Sequence, residues 1–136
     1  MTETWEPRPL PEVSPESERY WAAAADDRLL LSECPNCGLT IYYPRANCPD
    51  CFTETDWVEA SGDGTIYSYS VAEHVDGWPE ENLPLIVVYV ELDEGPRMLT
   101  NLVDCDPDDV KVGDSVSVVF KPTKRADIGI PVFRLS

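Results

Sequence analysis

The chain is short of positive charge. Lysine and arginine together number 10 against 26 aspartates and glutamates, for a formal net charge of -16. Only three of the bases are lysines: Lys111, Lys121 and Lys124. That shortage leaves no basic stripe for nucleic acid phosphates, and so acidic a surface repels anionic membranes. Acid excess with scarce lysine points to a halophilic proteome. In concentrated salt the Debye length falls to about 3 Å, and surface carboxylates scarcely repel one another. Long hydrophobic runs are missing too. The longest, "LPLIVVYV", has the length of a strand, so no membrane span is expected. The opening "MTETWEPRPLPEV" carries acids and prolines where a secretory signal needs a basic start and an apolar run. The expected location is therefore cytoplasmic, where thiols stay reduced and disulfides are disfavoured.

Against these shortages stands one concentrated motif, "CPNCGLTIYYPRANCPDC", from Cys34 to Cys51. Two C-x-x-C pairs lie ten residues apart. Each pair forms a tight turn that aims both sulfurs inward, so Cys34, Cys37, Cys48 and Cys51 are expected to share one metal ion. Gly38 can take positive φ after the first pair, and Pro35 and Pro49 stiffen the turns. Zinc is favoured. Iron uses the same four ligands, but iron knuckles of the rubredoxin type usually carry glycine after both pairs, and here Phe52 follows the second. Four protein ligands leave no open position, which makes the expected site structural, not catalytic. A thioredoxin-like use of C-x-x-C would need a βαβ setting that is not in evidence.

The rest of the chain divides around this motif. Residues 1–13 are proline-rich and expected to be extended. A helix is predicted over 15–26, with Ser14 as N-cap, Pro15 in the first turn and Glu16 and Glu18 at its positive end. Tyr20, Trp21, Ala24 and Ala25 line one face of it. "RLLLSEC" then reads as a short strand. Five strand candidates follow at 64–75, 84–95, 97–105, 114–122 and 131–136, with one helical turn near "DPDDVKVGD". This order matches a small Greek-key OB barrel, with an open five-stranded sheet as the alternative. The expected fold is mainly β: arm and docking helix over 1–27, zinc ribbon over 28–60, OB-fold over 61–136.

Several other residues invite a role. His74, the only histidine, and Trp78 border the eleven-residue connection "HVDGWPEENLP", which in OB folds often frames the ligand face. Trp78 is either an anchor on the barrel or a contact for a partner. The acids of this loop, Asp76, Glu80 and Glu81, read as solvation. Arg45 either pairs with a carboxylate or meets a phosphate-bearing ligand or a partner. Tyr42 and Tyr43 would alternate across a short strand, one packed and one exposed. Tyr20 and Trp21 either join the core or dock on another chain. Cys105 reads as a small buried hydrophobe, with a reactive thiol as the alternative. No nucleophile–base pair or phosphate-binding glycine loop emerges, so the chain is expected not to be an enzyme.

The succession of "LLLSECPNCG", "YYPRANCPDC", "SGDGTIYS", "ELDEGPR" and "VGDSVSVVF" resembles the zinc-ribbon, OB-fold family of acyl-CoA-associated proteins. The likeness runs from about residue 15 to about 122. All four ligand positions are intact; Tyr43 stands where the family often has a further proline. The resemblance implies a rubredoxin-like ribbon with structural Zn2+ and a non-catalytic subunit of an acyl-CoA enzyme complex. Similar proteins serve thiolase-superfamily enzymes, hydratases or aldolases. In archaea one bridges acetoacetyl-CoA thiolase and hydroxymethylglutaryl-CoA synthase of the mevalonate pathway. A hetero-oligomer with such a thiolase or synthase is the expectation, CoA or acyl-CoA being shared with the partner. A nucleic-acid-binding ribbon–OB module and a free-standing hydratase or thioesterase are the competing classes. The charge argues against the first, and the absent acid–base machinery against the second.

Overall fold

The computed structural model describes residues 10–76, 78, 80 and 83–136. Most of the proline-rich arm expected over 1–13 lies outside them, as do Glu81 and parts of its loop. Among the described residues one helix, α1 (Glu18–Ala25), is followed by β1 (Leu30–Glu33), β2 (Thr40–Ile41), β3 (Asp56–Glu59), β4 (Asp63–Ala72), β5 (Leu85–Leu92), β6 (Arg97–Leu102), β7 (Ser115–Pro122) and β8 (Gly129–Leu135). A 3-10 turn, Pro107–Asp109, separates β6 from β7.

The helix starts later than its sequence pattern suggests. Residues 15–17 form a turn, and Ser17 is the formal N-cap. Ser14 nevertheless does capping work. Its Oγ accepts the Ser17 N–H at 3.2 Å, while the Ser14 N–H donates to Ser17 Oγ at 3.0 Å. That is the reciprocal logic of a capping box, with a serine in the place of the usual glutamate. The far end closes in a Schellman arrangement. Arg28 N–H donates to Ala23 O at 2.9 Å and Asp27 N–H to Ala24 O at 3.2 Å, with Asp27 at φ 61.

Two sheets follow. The first has the order β2-β1-β3, with Ser32 opposite both Ile41 and Trp57. The second is a closed barrel, β4-β5-β6-β8-β7, which removes the open-sheet alternative. Closure needs β4 to pair with both β5 and β7, from Asp63↔Ser117 to Thr65↔Ser115 on the latter side. A bulge between Ile66 and Ser68 lets β4 bend around. β5 shows why the barrel fills. Ile86, Val88, Val90 and Leu92 point inward and are buried, while Tyr89 and Glu91 point out. Each such side chain contributes about 1.5–3 kcal/mol on burial. The predicted strands were longer than the observed ones at most ends, because Glu73–Val75 and Asp93–Gly95 turn away from the ladder.

β8 is different: Gly129 to Phe133 are all buried. Its inner face meets the barrel core and α1 packs on the strand from outside. The approach is close. A Cβ on Gly129 would fall 2.5 Å from both the C and the O of Ala24. Glycine is required there because the helix backbone occupies the space of a side chain. Pro131, lacking an N–H, is tied in by its carbonyl, which accepts Thr100 Oγ1 at 2.8 Å.

The three regions share one core. Tyr20 of α1, Leu29 and Leu31 of the ribbon entry, and Ile66, Val90, Met98 and Phe133 of the barrel form one contiguous cluster. Tyr20 is 1% exposed, so its role is packing, and docking through its ring is not open to a partner. The tyrosines after β2 sit in a bend, not a strand, with Tyr42 half-buried and Tyr43 exposed.

Two outcomes follow from this architecture. Gly129→Ala lifts α1 from β8 and costs about 1–3 kcal/mol or more, read as a lower urea midpoint; an unchanged midpoint would mean the helix is not seated there. Raising KCl from about 0.1 M to about 1 M shortens the Debye length from about 10 Å to about 3 Å. With a charge of -16, the thermal midpoint rises across that range.

Candidate metal centre

The two cysteine pairs fold into matching turns. Cys34 N–H donates to Leu39 O at 2.9 Å, and Gly38 N–H to Cys34 O at 2.9 Å. In the second turn Cys48 N–H donates to Thr53 O at 2.8 Å, and Phe52 N–H to Cys48 O at 2.8 Å. Both turns end on a left-handed residue, Gly38 at φ 78 and Phe52 at φ 63. Glycine suits that conformation; phenylalanine does not. The turns face each other, and all four Sγ atoms lie within 4.8 Å of one another. Cys34 Sγ is 3.3 Å from Cys51 Sγ, and Cys37 Sγ is 3.6 Å from Cys48 Sγ. A disulfide is about 2.05 Å long, so neither contact is one. Tetrahedral zinc with bonds of about 2.3 Å has sulfur–sulfur edges of about 3.8 Å. The donor set and its spacing therefore fit a zinc ion held by four thiolates. The first cysteine of each pair is buried and Cys37 is exposed.

The thiols feel one another. The Thr53 hydroxyl and backbone draw the Cys51 thiol down to about 6. At Cys37 a backbone bond from Leu39 pulls downward, but the neighbouring sulfurs of Cys34, Cys48 and Cys51 outweigh it and push the thiol up to about 12. Four sulfurs this close do not ionise together on their own. A divalent cation removes that conflict, and its binding releases protons.

The other candidates are scattered. Trp21 is half-buried and stacks edge-on with Tyr20, ring centroids 4.9 Å apart; Tyr43 joins this group at 5.8 Å from Tyr20. Glu16 accepts the Ala46 N–H at 2.6 Å and so straps the helix lead-in to the ribbon. Arg45 is exposed, with its N–H on Ser32 Oγ at 3.3 Å. His74 is exposed and lies 3.1 Å from Asp76 Oδ1, itself a fully exposed acid. Trp78 and Cys105 are brought together, lining a cleft of about 220 Å³ with Pro84, Ile86, Leu102 and Lys121. Burial, then Asp109, Asp106 and Asp104, push the Cys105 thiol up, which keeps it protonated and poorly nucleophilic.

Two surface features escaped the sequence reading. Phe52 is 77% exposed at the tip of the second knuckle. On the outside of the barrel Tyr67, Tyr89 and Leu99 are exposed together. Tyr67 and Tyr89 meet edge-on at 6.0 Å, and Arg97 lies 3.9 Å over the Tyr67 ring while pairing with Glu91 at 3.2 Å. The alternation of "LIVVYVEL" could have placed Tyr89 outside; the bulge that turns Tyr67 beside it has no sequence signal.

Comparison with known proteins agrees with this geometry. Two family models match, the ChsH2 rubredoxin-like zinc ribbon domain over residues 21–56 and the ChsH2 C-terminal OB-fold domain over 57–121. A DUF35 domain-containing scaffold protein of Methanocaldococcus jannaschii is 39% identical over 111 residues, 79% of this chain and 78% of that protein. A Thermomonospora curvata protein named "Probable enoyl-CoA hydratase alpha subunit" is 36% identical over 128 residues; the chain spans 40% of its length. Among solved structures, a chain of the "Ltp2-ChsH2(DUF35) aldolase" superposes with a TM-score of 0.81 at 35% identity, covering 92% of this chain and 98% of that one.

Metal analysis of the purified chain should find one zinc per molecule. Cys48→Ser should lose the zinc and lower the thermal midpoint, while Cys105→Ser keeps both. Full zinc content in Cys48→Ser would remove this cysteine from the ligand set.

Proposed function

The chain belongs to the DUF35 (ChsH2-type) family of zinc-ribbon, OB-fold proteins, and from that premise we propose that it is a non-catalytic scaffold subunit of an acyl-CoA enzyme complex. The partner proposed is a thiolase-superfamily enzyme of the acetoacetyl-CoA thiolase or hydroxymethylglutaryl-CoA synthase type, in the cytoplasm of a salt-adapted archaeon. The observation that carries the reading is the likeness to the Methanocaldococcus scaffold protein, which spans ribbon and barrel together. The surface supports it. Tyr67, Tyr89 and Leu99 are exposed side by side on the barrel, and Tyr43 and Phe52 on the ribbon, which gives a partner apolar side chains to cover on both parts. The gain for the complex is effective concentration, since an intermediate leaving one active site meets the next before it diffuses away. CoA would be handled jointly with the partner.

A second reading has its own support. The hydratase-subunit relative and the aldolase structure are as similar to this chain as the archaeal scaffold proteins are. An enoyl-CoA hydratase or an aldolase is therefore the alternative partner. Stacking of nucleobases on Tyr67 and Tyr89 is disfavoured, because Arg97 beside them is already paired with Glu91 in a chain of charge -16.

The zinc-loaded chain, mixed in molar-salt buffer with purified thiolase, synthase, hydratase and aldolase of the same organism in separate runs, is expected to co-elute with one of them on size exclusion. It is expected to turn over no acyl-CoA alone. Turnover by the partner-free chain would instead make it an enzyme.

A further inference from the structure

Phe52 presents a contradiction that stability alone does not explain. It is the most exposed large apolar side chain among the described residues, at 77%, and it sits at φ 63, where a side chain is strained and glycine is not. The matching residue of the first knuckle is Gly38, at φ 78. The fold thus has a relaxed solution at one knuckle and not at the other.

The backbone around Phe52 is held on both sides. Its N–H donates to Cys48 O at 2.8 Å and its carbonyl accepts Asn47 Nδ2 at 3.2 Å. The residue before it is the metal ligand Cys51, and the next, Thr53, has its carbonyl on the Cys48 N–H at 2.8 Å. The backbone beneath the ring is therefore held in place, and covering the ring costs the freedom of only two side-chain torsions, which suits an interface anchor.

The surroundings indicate what covers it. Asp50, Glu54 and Asp56 are exposed beside it in sequence. Across residues 30–59 there are five acids and one base, Arg45. The complement of an exposed ring with an acidic collar is a socket apolar within and rimmed by lysine or arginine.

We propose that Phe52 is an anchor of this subunit, inserting into an apolar pocket ringed by basic residues on the acyl-CoA enzyme it serves. This rests on the scaffold reading above and adds the side of the molecule that docks: the metal-braced tip of the second knuckle.

The test uses the whole zinc-loaded 136-residue chain and the enzyme that co-elutes with it, immobilised for titration. Phe52→Gly is expected to keep one zinc, raise the thermal midpoint by relieving the left-handed strain, and weaken binding at least about thirty-fold. Phe52→Asn, which also tolerates positive φ, should behave in the same way. Asp50→Asn with Glu54→Gln and Asp56→Asn should lower the association rate and flatten its dependence on salt. Either Phe52 variant binding as tightly as the wild type overturns the anchor and leaves the scaffold reading standing. A lower midpoint or lost zinc in both variants also overturns it, since the ring would then be structural. Failure of the wild type to bind any of the four enzymes removes the scaffold reading, and the anchor with it.

Discussion

Four sulfurs within 4.8 Å of one another repel once they ionise, and the ribbon has little else to hold them. Its strands are short: β1 and β3 have four residues each and β2 has two. A module of about 30 residues does not bury enough apolar surface to fold unaided. The cation supplies what the core does not, and the matching turns around Cys34 and Cys48 are the backbone's answer to its geometry. The two knuckles inherit their position from that centre, Phe52 at the tip included, while Tyr42 and Tyr43 rest against Tyr20 of the helix.

From there the constraint passes to the barrel through α1. Tyr20 lies in the core shared by ribbon and barrel, and Gly129 lets the helix backbone touch β8. Glu16 fixes the helix lead-in to the ribbon through Ala46. The helix is thus a wedge between the two parts, not a free docking arm. Ribbon and barrel are thereby held in one fixed relation.

Much of this was legible in the sequence because the signals were local. Two C-x-x-C pairs name their own geometry, and alternation along β5 separates Ile86, Val88 and Val90 from Tyr89. Barrel closure was expected from strand order and is confirmed by the pairing of β4 with β7. What could not be read depends on tertiary packing. Tyr20 and Trp21 are adjacent on one helix, yet one is buried and the other half-buried, because only the fold decides which face meets β8 and the ribbon. The serine exchange between Ser14 and Ser17 delays the formal helix start without removing the cap. Phe52 stood out as the residue where a glycine is usual, but its exposure needed the turned backbone.

The decisive measurement is recovery of the tagged chain from its own cells, in buffer matched to their internal salt, with co-purifying proteins identified and quantified by mass spectrometry. An acyl-CoA enzyme, thiolase or synthase first, is expected at a near-stoichiometric ratio to the chain. Recovery of the chain alone, folded and carrying its zinc, would contradict the scaffold reading.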